Sequence, residues 1–333
     1  VIIINNRPDV PYKLGIDYET LSGINPRLVY CENTAYGRRG PQKQRPGYDI
    51  IIQAMSGLMA ADGKIVNGVP QQISATALAD FAAGLVMAWG ICAGLYAREK
   101  TGRGQKVETT LLAAALALQT TRFLQVDRVD GEARSRFLED LVQLRRHGRP
   151  YQEVQAAAEA LRTQRVGNIY YRTFQTKDSV IAVGCLNDPL SRKMKNALQL
   201  RDIRFEPGYD PSSPEAISFG KELTRQAEAL FLEKTTEEWL RILDAAGVPC
   251  GPVKFTEELL EDEQVLSNEL VVGLEHSLAG PLKMVGPIMR MSETPLEAKS
   301  ASPALGQHTS AILTSLGYGP EEIRRLREEG VTL

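Results

Sequence analysis

Short, uniformly apolar runs alternate with amphipathic stretches along the first third of the chain, a pattern that predicts strands followed by helices. Residues 1–4 (VIII) read as a parallel strand buried on both faces, with Asn5-Asn6-Arg7-Pro8 at its carboxyl end. Residues 18–24 read as a short helix stopped by Asn25-Pro26, and residues 27–31 (RLVYC) as a second strand. A loop rich in Gly, Arg, Lys and Gln covers 35–46, a helix 48–59, and a further loop 62–74. A long helix is predicted from about residue 78 to 98, broken by Thr101-Gly102-Arg103-Gly104-Gln105. Residues 106–109 (KVET) then form a strand and 111–123 a helix. This order predicts an α/β fold with an open, mostly parallel, Rossmann-like sheet.

The texture changes further on. Residues 132–149 carry many charges of both signs and read as an exposed helix and connector. Residues 169–184 read as a hairpin with its turn at 176–178, followed by amphipathic helices over 215–232 and 236–246. Residues 247–253 (GVPCGPV) read as a rigid extended link. Residues 303–309 open a helix, and a charged helix spans 320–329. The expected organisation is a large domain beginning at 1–130, a helical connector at 131–167, a smaller α/β domain at 168–262, and a linker and terminal segment at 263–333.

The bulk numbers narrow the function classes. With 333 residues, 43 % of them apolar and 24 % charged, the composition is that of an ordinary globular protein. A formal net charge of -2 supplies no basic field, so neither nucleic acid nor an anionic membrane is an expected partner. Cys31, Cys92, Cys185 and Cys250 form no CxxC pair and read as buried free thiols in a reducing, cytoplasmic setting. His147, His276 and His308 are scattered, so no histidine-based metal site is expected. The apolar run 81–97 is shorter than the roughly 20 residues of a membrane span and, rich in Ala and Gly, reads as a buried core helix. No signal peptide is visible. A start inside a core strand, without Met, leads to the expectation that the natural chain extends upstream.

Three places could carry chemistry. Asp80 precedes a long apolar helix with Ala82, Ala83, Gly84 and Ala88. Asp is a preferred N-cap, so capping is its structural reading. The functional reading, second to capping on spacing alone, is a carboxylate fixed at the positive end of a helix with small residues leaving room beside it, a group that can act as a covalent nucleophile. Tyr48-Asp49 follows the basic residues Arg38, Arg39, Lys43 and Arg45, and Asp49 also suits a helix start. Asn5, Arg7 and Lys13 follow the first strand, where open α/β sheets place ligands and where cations suit phosphates. The Gly-Arg-Gly turn at 102–104 lacks the full phosphate-loop pattern and reads as a helix stop.

Taken together, several segments give the chain a resemblance to the family III CoA-transferases, the group containing formyl-CoA:oxalate and carnitine CoA-transferases. They are Asn5-Asn6-Arg7-Pro8, residues 24–30, Arg45-Pro46-Gly47-Tyr48-Asp49 running on to Gln53-Ala54-Met55-Ser56-Gly57, Ala79-Asp80-Phe81-Ala82-Ala83-Gly84, and residues 100–105. Residues 248–253 and Leu305-Gly306-Gln307-His308-Thr309 match later. The resemblance implies that Asp80 is the nucleophile. It implies coenzyme A contacts at Asn5, Asn6 or Arg7, and Lys13, and others at Arg45, Tyr48 and Asp49. It also implies an interlocked homodimer, with the terminal segment completing the large domain. The family's N-terminal strand–helix unit is missing from this sequence, and Asn6 stands where relatives often carry an aromatic residue.

The implied reaction moves coenzyme A from an acyl-CoA to a small carboxylic acid through an aspartyl-CoA thioester. It needs no permanently bound cofactor and no metal, and backbone N–H groups at the helix start are expected to hold the tetrahedral oxyanion. An α-methylacyl-CoA racemase of the same fold is the first alternative. Racemases carry His before the Asp of the Gly-x-Asp segment, and this chain has Tyr48, a poor proton shuttle near neutral pH. The second alternative is a truncated, non-catalytic member that dimerises or binds coenzyme A.

Overall fold

The computed structural model describes residues 1–160, 168–211 and 213–332, so the last part of the predicted connector 131–167, residues 161–167, lies outside the described residues. The chain divides into two compact units, Val1–Gln164 and Arg165–Leu333.

The first unit is built on three parallel strands, β1 (Ile2–Ile4), β2 (Tyr30–Thr34) and β3 (Lys106–Thr110), with β2 in the centre. Ile4 pairs with Glu32, and Glu32 with Glu108. The first strand is an edge strand and not buried on both faces, for Ile3 is 57 % exposed. The second strand starts three residues later than its apolar run predicted. Pro26 and Arg27 are turn residues, Leu28 and Val29 precede the strand, and the buried strand continues through Glu32, Asn33 and Thr34. Between β2 and β3 run helix α1 (Asp49–Ser56), a short helix Leu58–Asp62, and the long helix α2 (Leu78–Thr101). The single helix expected over 48–59 is interrupted because Gly57 takes the left-handed conformation, φ 89°. Helix α3 (Leu111–Ala117) follows β3. Ile52, Leu58, Ala79, Ala83, Leu111, Ala114 and Ala115 form the core between these helices.

Helix α2 meets the sheet through its small residues. A Cβ on Gly90 would lie 2.6 Å from Val107 Cγ1, and one on Gly94 would lie 3.1 Å from Val29 Cγ1. The close approach on that face leaves the opposite face open. Phe81, Leu85, Trp89 and Tyr96 are 54–77 % exposed. The expectation of a buried core helix is therefore corrected: only 17 % of its most apolar stretch is buried, and by length and composition the helix could cross a membrane. Only one side has a sheet to pack on.

The second unit holds an antiparallel sheet of β4 (Tyr171–Gln175), β5 (Val180–Gly184) and β6 (Cys250–Pro252). The predicted hairpin is β4–β5, but the supposed link at 247–253 contains a third strand, pairing Ala182 with Gly251. Helices Pro214–Phe231 and Thr236–Ala245 pack on this sheet. The core stacks Phe174 on Phe231 at 4.2 Å, with Trp239 against Phe231 at 4.7 Å. A hairpin, Val271–His276 with Gly280–Val285, and the helices Thr309–Ser315 and Pro320–Glu328 complete the unit.

Candidate active site

Asp80 is the third residue of α2 and does not cap it. The N-cap position is Ala77, whose methyl group can accept no hydrogen bond. A helix start leaves orphan N–H groups that need an acceptor, and here it comes from another helix. Asp49 Oδ1 accepts from the Ala79 N–H at 2.7 Å and the Asp80 N–H at 3.3 Å. These two donors, expected to serve an oxyanion, are thus already engaged by a carboxylate. Asp49 Oδ2 accepts from Gln53 Nε2 at 2.6 Å, one helical turn further along α1. Gln53 is fully buried and also bonds the Ile73 backbone, its Oε1 accepting from the Ile73 N–H at 2.8 Å and its Nε2 donating to the Ile73 carbonyl at 3.3 Å.

Helical periodicity sends Ala79 and Ala83 into the core, while Asp80, Phe81, Gly84 and Leu85 line an open depression of about 440 Å³ with Thr76 and Ala77. Nothing lies within 4 Å of the position a Cβ on Gly84 would take, so the floor beside Asp80 is clear. The Asp80 carboxylate accepts no hydrogen bond among the described residues. Its pKa is raised, first by burial against these apolar walls and then by the negative charge of Asp49.

The other sequence candidates are dispersed around the carboxyl ends of the strands and the following loops. Asn5, Asn6 and Arg7 are exposed after β1. Asp9 gathers both nearby cations, Lys13 Nζ at 2.6 Å and Arg7 Nη2 at 3.5 Å. Arg45 and Tyr48 are exposed, Tyr48 by 77 %. The structure thus brings Asp49 to Asp80 and leaves Asn5, Asn6, Arg7, Lys13, Arg45 and Tyr48 as surface groups.

A second polar cluster escaped the sequence reading. Glu32, 1 % exposed on the central strand, receives Arg38 on both carboxylate oxygens and Lys106 Nζ at 3.0 Å. Burial alone would raise the Glu32 pKa, but the bonds from Arg38 and Lys106 outweigh it and hold the carboxyl below its ordinary value. Arg38 also lies over the Tyr12 ring. Glu32, Thr34, Arg38, Arg39 and Thr110 border a depression of about 280 Å³. Among the cysteines, Cys31 and Cys185 are buried as expected, whereas Cys92 lies on the open face of α2. The half-buried Cys250 thiol is pushed up to about 11, by burial first and then by Asp244, which leaves it protonated and unreactive near neutral pH.

A parallel α/β unit with a carboxylate on the first turn of a long helix is the setting in which the comparisons with known proteins are read. Residues 1–309 match the family described as CoA-transferase family III. The succinyl-CoA:glutarate CoA-transferase of Mus musculus is 30 % identical over 99 % of this chain and 70 % of its own length. The formyl-CoA:oxalate CoA-transferase of Streptomyces coelicolor is 29 % identical over 99 % of this chain and 78 % of its own length. A CAIB/BAIF family protein from Brucella suis has a similar fold, with TM-score 0.66 and 24 % identity over 95 % of this chain and 75 % of that one. The chain belongs to CoA-transferase family III.

Proposed function

We propose that this protein transfers coenzyme A from an acyl-CoA donor to a small carboxylic acid through a thioester on Asp80. The observation that carries the reading is the Asp80 carboxylate itself, unbonded, at the start of a long helix and facing an apolar depression. A carboxylate with raised proton affinity is a stronger nucleophile than an ordinary one.

The Asp80 oxygen attacks the thioester carbonyl of the donor, and the C–S bond breaks to release coenzyme A thiolate and leave a mixed anhydride. The thiolate attacks the aspartyl carbonyl, forming the aspartyl-CoA thioester and releasing the donor acid as its carboxylate. The acceptor carboxylate attacks that thioester, the thiolate leaves, and a second mixed anhydride forms. Thiolate attack on the acceptor's acyl carbon yields the new acyl-CoA and restores the Asp80 carboxylate. Protons and charge balance without a metal or a redox partner. Dividing the exchange into acyl transfers of similar energy is what covalent catalysis contributes.

Coenzyme A contacts are proposed at Asn5, Asn6, Arg7, Lys13, Arg45 and Tyr48. Support comes from exposed cations beyond the carboxyl ends of parallel strands, where phosphates are bound in such sheets. An interlocked homodimer is proposed as well, supported by the apolar side chains on the open face of α2. The names of the relatives, which exchange coenzyme A among succinate, glutarate, formate and oxalate, support small acids as substrates.

The test is a donor-by-acceptor activity screen with hydroxylamine added during turnover. Inactivation with modification mapped to Asp80 is expected. Full transfer by an Asp80→Ala variant would end the proposal, and solvent deuterium exchange at the α-carbon without transfer would identify a racemase.

A further inference from the structure

We propose that Asp49 and Gln53 are positioning residues that hold the first turn of α2 so that Asp80 faces its depression. The inference rests on the reading of Asp80 as the nucleophile. It changes the place of Asp49, which the family resemblance had set among the coenzyme A contacts.

The geometry ties three segments together. Ala77 leaves α2 without a cap of its own, and one oxygen of Asp49 takes the N–H groups of both Ala79 and Asp80. The other oxygen is held by Gln53, a fully buried amide. A buried amide is costly unless its bonds are made, and the bonds of Gln53 go to Asp49 and to both backbone groups of Ile73. Ile73 lies on the segment that leads into α2. The clamp therefore fixes α1, this entry segment and the first turn of α2 at once. Successive residues of a helix point about 100° apart, from 3.6 residues per turn. A small rewinding of that turn would swing the Asp80 carboxylate away from the apolar walls.

Asp49 also sets a charge beside the nucleophile. Thr76, Ala77, Phe81, Gly84 and Leu85, which share the depression with Asp80, are uncharged, as is every residue of α3. Asp49 is the charged neighbour that raises the affinity of Asp80 for its proton. Asp49→Asn keeps an oxygen to accept the two N–H groups but removes the charge, and its NH2 replaces the oxygen that accepts from Gln53. Asp49→Ala removes both.

The experiment measures kcat and KM against pH for the full chain, wild type, Asp80→Ala, Asp49→Asn and Asp49→Ala, with thermal melting of each. In Asp49→Ala, kcat should fall by roughly 10- to 100-fold, the cost of a displaced reacting group, with KM for acyl-CoA within about threefold if Asp49 does not itself touch coenzyme A. In Asp49→Asn the acid limb of kcat/KM should move to lower pH, because Asp80 then ionises more easily. A purely structural Asp49 would leave that limb where it is. An unmoved limb together with kcat within twofold of wild type overturns the inference, as does a loss confined to KM. Should Asp49→Ala fail to fold, the limb of Asp49→Asn decides alone. A wild type without transferase activity, or an active Asp80→Ala, overturns the underlying reading instead.

Discussion

Glu32 and Lys106 meet at 3.0 Å across neighbouring parallel strands, and Arg38 closes on the same carboxylate from the loop that follows. A charge at 1 % exposure is tolerated only because two cations share it. Glu32→Gln should therefore weaken the fold by about 3–5 kcal/mol near pH 7, the usual effect of breaking a buried pair. The pH dependence has a definite sign. The native pKa of Glu32 lies below the ordinary 4.5, so its contribution is complete above 4.5 and is lost as pH falls through the native value. Denaturant unfolding of wild type and Glu32→Gln at several pH values should show a gap at neutrality that closes under acid.

Asp80→Ala should lower transferase turnover by roughly 10³-fold or more, as loss of a covalent nucleophile does. The melting temperature should hardly change, because the Asp80 side chain accepts no hydrogen bond among the described residues and the clamp uses only its backbone N–H. A large loss of stability instead would mark Asp80 as a structural residue.

Two glycines of α2 should respond in opposite ways to Ala. At Gly90 the added methyl group meets Val107 at 2.6 Å, and overpacking of this kind costs about 1–3 kcal/mol. At Gly84 nothing is near, so Ala should stabilise the helix by about 0.5–1 kcal/mol. The same methyl group projects into the depression beside Asp80, so Gly84→Ala should raise KM for bulky acyl donors while melting higher. Parallel melting curves and steady-state kinetics check both halves.

In the second unit, Trp239 is 2 % exposed, packs on Phe231, and donates its indole N–H to the Phe231 carbonyl at 2.9 Å. Trp239→Ala removes the largest fully buried side chain together with that donor. A loss of about 3–5 kcal/mol is expected in denaturant unfolding of the full chain.

What could be read from the residues was local. Tyr18–Ile24 carries its own start and stop, with Asp17 accepting from the Thr20 N–H and Asn25-Pro26 ending the helix. The β4–β5 hairpin has its turn chemistry in Thr176 and Asp178. What could not be read depends on distant partners. Glu32, Asn33 and Thr34 look like loop residues, yet they are buried in a strand because β3 pairs alongside some seventy positions later. Cys250-Gly251-Pro252 is too short and irregular to announce a strand, and it becomes one only against β5. In the candidate site, Asp80 was visible from its flanking segment, but its relation to Asp49 was not. Gln53 offered one clue, a polar residue directly after Ile50, Ile51 and Ile52, at helical spacing from Asp49.

The cap of α2 also bears on the order in which this protein acquires reactivity. A helix nucleates from neighbouring residues, but the first turn of this one is completed by a carboxylate 31 positions upstream of Asp80. A folding chain that has formed α2 without docking α1 carries the proposed nucleophile, Asp80, on a frayed end. On that proposal, the geometry of the reacting carboxylate is set only when α1 closes against α2.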